Sequence, residues 1–558
     1  STLTDLKVAN SGVVNGLEYV GAAVGSAYNV IISGGVSTLS ADVSGINFIG
    51  GFAGYVGQSV VYNTNAYQAA TTAAKVTNST SSNTNVTPST GYVGGLAGWM
   101  DAVAATNLSS TLPVTGTTNV GGLMGYYNSG YAPNHANVTN YLGTQLTASG
   151  AVTATGQYAG GLIGQYKLFV SGGLTSETTN LSNSSATGTV TSSSNYVGGL
   201  IGTASGWLFD NLSTSTGLVS QTASGSHVGG LMGSLNTYLN VYNSTYYGGK
   251  LINSNATRNV SSLTTGTANV GGLVGNSGES NAGTNIIDSF ATGVVTGQGS
   301  NVGGLVGYST GSVANSYASG NVTVTGTSSS ATGGLVGYLS GGAVSDSRYI
   351  TGAVTGMSSV GGLIGGTNSS AVIKGSYTAR PVSATYDYVG GLVGKLGGTI
   401  QASDNIGALP TTNGGNGTHY SNASGSATGR NDVGGLVGRA DTTAIIKDAY
   451  ATATVSAEAN YGGLVGFMTP GATVENAHYN IDTVSINRFT GASLTAPVAI
   501  NGLITTGGLL GSQYTDWFTP TLNGLASTNT AKLQSYFGPA DGSGYYSLGS
   551  STDLKNYL

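Results

Sequence analysis

Apolar residues along this chain fall in short blocks that recur, and never in long runs. The block V-G-G-L-V-G stands at Val270–Gly275, Val302–Gly307, Val389–Gly394 and Val433–Gly438. Close variants stand at Ile49–Gly54, Val93–Gly98, Val120–Gly125, Ala159–Gly164, Val197–Gly202, Val228–Gly233, Thr332–Gly337, Val360–Gly365, Tyr461–Gly466 and Thr506–Gly511, with a divergent copy at Val20–Gly25. Successive blocks start 27 to 45 residues apart. The shorter intervals give the repeating unit, and the longer ones read as that unit with an inserted loop. Each unit continues with a turn, a second run ending in an aromatic, and a third run rich in Thr and Val. Residues 302–325 show this, with Tyr317 closing the second run and Val322–Thr325 forming the third. Such runs, bounded by Gly and Ser/Thr, predict three short strands per unit.

Three short strands cannot bury an apolar face alone, so the units must stack. The pattern predicts an all-β parallel coil, a β-solenoid, of about 15 rungs spaced ~4.8 Å, hence a rod roughly 70 Å long. Paired glycines then occupy one corner of every rung: Gly94 and Gly95, Gly121 and Gly122, Gly271 and Gly272, Gly303 and Gly304, Gly390 and Gly391, Gly434 and Gly435. Two properties of Gly suit a corner, a positive φ and close backbone approach. The aromatic ending the second run, at Phe290, Tyr317, Tyr349, Tyr377, Tyr450 and Tyr479, is expected to form one column. A polar residue often stands shortly before it: Asp288, Asn315, Asp346, Asp448 and Asn476. Residues 1–48 read as starting or capping rungs, 49–511 as the repeat coil, and 512–558 as a cap or junction.

Composition narrows the function classes. Of 558 residues, 95 are Gly, 15 are Lys or Arg and 20 are Asp or Glu, with 9 Pro and no Cys. Collagen needs Gly at every third position and abundant Pro. Nucleic-acid binding needs a basic face, which is missing. The 33 Tyr and many Val, Ile and Leu oppose a disordered linker. Scarce charge suits a stacked coil, because like charges repel along a ladder whereas Asn, Ser and Thr bond along it. No apolar run is long enough for a membrane helix. The glycine spacing G-G-x-x-G recurs without a following helix, unlike a dinucleotide loop.

Candidate chemistry is thin. The acids are scattered. Asp404 and Asp432, 28 residues apart, lie one rung's spacing from each other, with Arg430 and Arg439 nearby. They read as turn or surface residues rather than a catalytic pair. His135, His227, His419 and His478 show no ligand spacing, so neither a metal nor another cofactor is expected. Thr323-Val-Thr325 and Thr452-Ala-Thr454 raise an ice-binding ladder, which Pro381-Val-Ser383 and Leu409-Pro-Thr411 interrupt. Trp99 and Trp207 follow glycine blocks near corners and are candidate glycan contacts.

The glycine blocks resemble the GLUG motif, most closely over 270–479, where NVGGLVGYSTGSVANSYASGNVTVTG spans 301–326. The resemblance covers about 20–511. GLUG repeats occur in large bacterial surface and secreted proteins, including filamentous-haemagglutinin-like adhesins. The resemblance implies a right-handed parallel β-helix, extracellular placement and a role in adhesion or matrix. No export or anchoring segment of a full adhesin is recognisable, and the start at Ser1 reads as a processed or trimmed product. Thr4-Asp-Leu-Lys7 is echoed by Thr552-Asp-Leu-Lys555, which raises end-to-end stacking of copies. The expectation is a non-catalytic extracellular stalk or filament subunit whose partners are itself and matrix glycans. Its runner-up is a polysaccharide-acting β-helix enzyme.

Overall fold

The computed structural model describes residues 1–68, 76–78, 91–128, 143–167, 180–193, 195–205, 208–223, 225–236, 238–240, 245–278, 284–326, 331–402, 421–480, 490–493 and 507–509. Within them the chain is a parallel β-helix. Strands in successive rungs pair in parallel and in register, building three long sheets. The third is a run of 15 strands, one from each successive rung. A small antiparallel hairpin, Tyr238–Asn240 with Thr245–Tyr247, is set apart from the three. Residues 1–48 form rungs of the same coil, and 512–558 lie outside the described residues.

One rung shows the plan. The third face carries Val306–Ser309. The first carries Ser312–Ala314 and Tyr317–Ala318, and the second Val322–Val324 and Ala331–Gly333. Each face expected to be one strand is thus, on two of three faces, a pair of strands separated by a corner. Alternation puts Val313, Val322 and Val306 inward with no exposure, and Ala314 and Thr323 outward. The Leu of the glycine block turns inward in every described rung from Leu96 to Leu464 and is fully buried. Like residues therefore stack on like, and the core is one apolar column running down the coil.

The glycine blocks fix the register. Gly271 pairs with Gly303, Gly303 with Gly333, Gly333 with Gly361, and Gly361 with Gly390. The ladder reaches back through Gly121, Gly94 and Gly50 to Gly21, and forward to Gly434 and Gly462. A Cβ on Gly303 would stand 2.0 Å from the Val306 carbonyl oxygen, within its own corner. On Gly304 it would stand 2.0 Å from the Gly334 carbonyl oxygen, in the next rung. On Gly307 it would stand 2.5 Å from the Val270 nitrogen, in the previous rung. Gly94, Gly95, Gly121, Gly122, Gly271, Gly272, Gly390, Gly391, Gly434 and Gly435 meet backbone oxygens at 1.9–2.2 Å in the same way. None of these glycines has a positive φ. Close approach alone demands them, and the second reason expected for Gly falls away. The corner loses no hydrogen bonds: the N–H groups of Leu305 and Val306 both donate to the Leu335 carbonyl, at 2.8 and 3.0 Å.

Positive φ is used elsewhere, most often by Asn and Asp and also by residues such as Tyr19, Tyr196 and Leu212. Asn253, Asp288, Asn315 and Asp346 sit at φ of 48–50° between the two strands of the first face, and Asp448, at 48°, makes the same bend within Ile445–Ala451. This is the polar residue found before the aromatic, and its short side chain tolerates the left-handed turn. The residue after it is usually a fully buried Ser, as at Ser254, Ser289, Ser316 and Ser347, and Ser376 follows Gly375, which makes the same bend at φ of 50°. The Ser289 N–H donates to Ser316 Oγ, Ser316 N–H to Ser347 Oγ, and Ser347 N–H to Ser376 Oγ, each at 3.1 Å. Each hydroxyl donates in turn to a carbonyl two residues back, as Ser316 does to Ala314 at 2.7 Å. A column of hydroxyls thus carries the inter-rung bonding across the bend that the left-handed residue makes.

Two outcomes follow. Gly303→Ala should cost ~3 kcal/mol by forcing the corner open, whereas Gly12→Ala, with nothing within 4 Å, should cost little. Hydrogen exchange of amides in the flanking rungs reads the difference. Ser316→Ala should strand the Ser289 N–H at a cost of about 1–3 kcal/mol, seen as faster exchange of that amide.

Candidate functional site

The outer edge of the glycine corner is where unlike side chains accumulate. Two outward columns meet there. One is the residue preceding the first Val of each block, and the other lies one residue past its last Gly. The second column reads Tyr55, Trp99, Tyr126, Gln165, Thr203, Ser234, Asn276, Tyr308, Tyr338, Gly366, Lys395, Arg439 and Phe467, in register throughout. The corner brings position 92 beside position 99, so the two columns touch.

Near the start both columns are aromatic. Tyr19, Phe48 and Tyr92 stack face to face, with centroids 4.8 and 5.2 Å apart and planes within 9°. Trp99 lies 5.2 Å from Phe48 and 5.1 Å from both Tyr92 and Tyr126. Asp101 closes one side. Asn128 Nδ2 donates to it at 2.8 Å, Tyr55 also hydrogen-bonds it, and burial pushes its carboxyl up. In the middle rungs the columns turn polar: Asn301 Nδ2 donates to Asn269 Oδ1 at 2.8 Å, and Asn269 contacts His227 at 3.2 Å. Burial pushes His227 down to about 4, so its ring is neutral at physiological pH.

Near the end the columns become charged. Lys395 and Arg439 are register neighbours, a like-charge contact, and Asp441 sits with both at 3.3 and 3.2 Å. Arg439 also reaches Asp432 at 3.8 Å and lies over the rings of Tyr388 and Phe467. Arg430 pairs with Asp387 at 3.2 Å and lies over Tyr386. Sequence spacing had put Asp432 opposite Asp404, which lies outside the described residues. The acids that the structure gathers here are Asp387, Asp432 and Asp441, each joined to a cation. Among the described residues no group of three His, Cys, Asp or Glu side chains is placed to hold a metal ion.

The six aromatics expected in one column divide into two. Phe290 and Tyr317 stack at 4.9 Å with planes 2° apart, and Tyr377 and Tyr450 continue that outward column. Tyr349 and Tyr479 do not belong to it. Their register partners are Ala318 and Ala451, and both rings are buried inside the coil. The outward places in those rungs belong to Arg348 and His478. A one-residue offset reverses the face because the strand period is two. The inward rings lie under the glycine corner, against Gly334 and Gly463, where other rungs place Ala. Tyr349 Oη donates to the Gly320 carbonyl at 2.6 Å.

Trp99 is half-buried within the aromatic strip. Trp207 lies outside the described residues. The Thr row is single file: Thr323 pairs with Thr355, then Ser383, Thr428 and Ser456, so Ser383 continues the hydroxyl row while Thr452 and Thr454 lie off it.

Among the polar side chains at inward places of the described residues, one carries a carboxyl without a cation. Asp210 takes the place that Leu181 and Leu251 hold in adjacent rungs, and it is fully buried. Ser254 Oγ lies 3.5 Å from its Oδ2, while Oδ1 has no partner. Burial pushes this carboxyl up to about 7. The only signal in the sequence was an Asp at an inward place of the strand period.

The family described as "The GLUG motif" matches residues 298–325 and 429–456. The chain is thus a β-helix that carries GLUG repeats. Halomucin of Haloquadratum walsbyi (strain DSM 16790 / HBSQ001) is 34% identical to it over 219 residues. That alignment covers 38% of this chain and 2% of halomucin, so the chain spans a small fraction of the relative it matches. No solved structure matches.

Asp210 sets a pH dependence. Its folded pKa is raised, so the folded state binds the extra proton. The stability tied to that proton is complete below pH ~4 and falls away up to about pH 7. Asp210→Leu should remove that slope and, at pH 8, stabilise its rung on the order of 3 kcal/mol. Hydrogen exchange of the Leu181 and Leu251 amides at pH 5 and pH 8 checks it.

Proposed function

We propose that this chain is an extracellular, non-catalytic structural coil, a stalk or a filament subunit that presents its surface along a rigid rod. The observation that carries the reading is the unbroken register of the glycine blocks from Gly21 to Gly462. That register commits the sequence to one continuous shape rather than to a cleft. The GLUG repeats and the likeness to halomucin support a surface or secreted setting, and a filamentous-haemagglutinin-like kinship belongs to the same proposal. The mutual pairing of the charged groups at 387–441 supports a non-catalytic role.

End-to-end self-association belongs to this reading. In the first described rung, strands Thr2–Thr4, Lys7–Asn10, Val14–Asn15, Val20–Gly21 and Val24–Tyr28 each pair with the second rung alone. Large apolar side chains are exposed there, Val13 at 69% and Leu17 at 65%. The strand edge of one rung is a template for another, and the parallel pairing that joins the described rungs would serve equally to join a rung of a second copy. Asp5, with φ of 53°, makes the same left-handed bend as Asn63 and Asn315, so the Thr4-Asp-Leu-Lys7 echo repeats a corner sequence. A further copy of the chain is the proposed partner of that edge.

Negative-stain imaging and sedimentation of the purified chain test this. Rods joined end to end, lengthening with concentration, are expected. A chain that stays as single rods at every concentration would count against self-association. Lys substituted for both Val13 and Leu17 should shorten the assemblies.

A further inference from the structure

We infer that the aromatic strip formed by Tyr19, Phe48, Tyr55, Tyr92, Trp99 and Tyr126 is a binding site for an extended neutral polysaccharide. The inference adds a ligand to the rod and stands independently of end-to-end association.

The fold does not require these rings. The column that holds Tyr55, Trp99 and Tyr126 holds Gln165, Thr203 and Ser234 in the next three rungs, with the same pairing. The column that holds Tyr19, Phe48 and Tyr92 holds Asn119 one rung later, then Tyr158 and Tyr196, and turns to Asn269 and Asn301 further on. Both columns exchange rings for small or polar residues from rung to rung while the coil beneath them continues, so the pairing of the coil does not depend on the rings. Among the described residues, only the six near the start make both columns aromatic in adjacent rungs.

Their arrangement suits a sugar chain. Tyr19 is 41% exposed, and the other five rings are half-buried. Phe48 and Tyr92 present their edges as a stacked ridge. Tyr55 is turned 74–75° from it, Trp99 42–43° and Tyr126 67°. The Tyr55 ring leans along its own strand over Gly57, where a Cβ would stand 2.4 Å from the phenol oxygen. The result is a step, a ridge beside tilted rings. Pyranose rings offer apolar C–H faces to aromatic rings and a rim of hydroxyls to polar groups. Four phenols, Asp101 and Asn128 supply that polar rim.

Charge and area choose the occupant. Residues 8–128 contain Glu18, Asp42 and Asp101 against Lys75 alone, so an anionic polysaccharide would meet repulsion. The hydrogen bonds from Asn128 and Tyr55 orient the Asp101 carboxyl without cancelling its charge, so it accepts from sugar hydroxyls and turns an anionic chain away. The strip is two columns wide and four rungs long, about 10 by 20 Å at ~4.8 Å per rung. That is about 200 Å², well below the ~800 Å² per partner of a stable protein interface. A thin chain of sugars fits that footprint, and a second rod does not.

The test is calorimetric titration of the full chain with cellohexaose, xylohexaose and chitin hexasaccharide, their disaccharides, and galacturonic acid hexamer as the anionic probe. The variants are Trp99→Thr and Tyr126→Gln, which copy Thr203 and Gln165 in the same column and so keep the coil. At least one neutral hexasaccharide should bind, more tightly than its disaccharide, and each variant should weaken it about tenfold. The galacturonic acid hexamer should not bind. Absence of binding by all three neutral hexasaccharides overturns the inference, and so does affinity unchanged in both variants. Tighter binding of the anionic hexamer overturns it too, as does a strip-dependent side-by-side dimer without sugar binding. Sedimentation of the same variants should show unaltered end-to-end association, which separates the two readings.

Discussion

A carbonyl oxygen two ångströms from where a Cβ would stand is the constraint on which this structure rests. In each glycine corner the backbone folds back on itself and presses against the rungs on either side. The Gly303, Gly304 and Gly307 positions each meet a different piece of backbone: their own corner, the rung ahead and the rung behind. No side chain fits at any of the three, so the spacing G-G-x-x-G locks rungs together by the absence of atoms. The Leu between them plugs the core directly beneath. With the corner fixed, register follows, because a slip by one residue would drive a side chain into a backbone oxygen.

The rest of the rung adapts to that corner. The strands of the first face must bend, and a left-handed Asn or Asp makes the bend. The bend would leave amides unpaired inside the coil, and the column of buried Ser hydroxyls accepts them. These roles are coupled in sequence, so the pair Asp288–Ser289 or Asn315–Ser316 is one device and not two preferences. Insertions fall between these devices and leave the corner intact, which is why the interval between blocks varies while the pairing does not.

What the rod offers its surroundings is decided on the outward columns, where the fold asks little. Along one edge the same two positions are aromatic together near the start, mix amides, hydroxyls and single-file rings in the middle, and are ion-paired near the end. The Lys395–Asp441 and Arg430–Asp387 pairs are largely solvated, and each contributes little to stability, whereas the Asp432 carboxyl beside Arg439 is buried. Asp441 matters there mainly because it separates Lys395 from Arg439, a contact that a parallel ladder would otherwise disfavour. Asp210 is the opposite case, a carboxyl placed where the coil wants Leu.

The sequence by itself determined the coil. The recurrence of V-G-G-L-V-G, its spacing and the scarcity of charge admit few shapes other than stacked parallel rungs, because three short strands cannot close a core alone. It also located the corner glycines and the polar residue before the aromatic. Only the tertiary structure decided which face each aromatic takes. Tyr349 and Tyr479 stand one place later than Phe290 and Tyr317, an offset invisible beside inserted loops, and the two-residue strand period turns that offset into burial. The structure alone also joined Trp99 to Tyr92 and Phe48, and drew Arg439 between Asp432 and Asp441. Trp99 meets Tyr92, and Arg439 meets Asp432, across a glycine corner that folds the chain back on itself, whereas Trp99 meets Phe48 only because rungs stack in register.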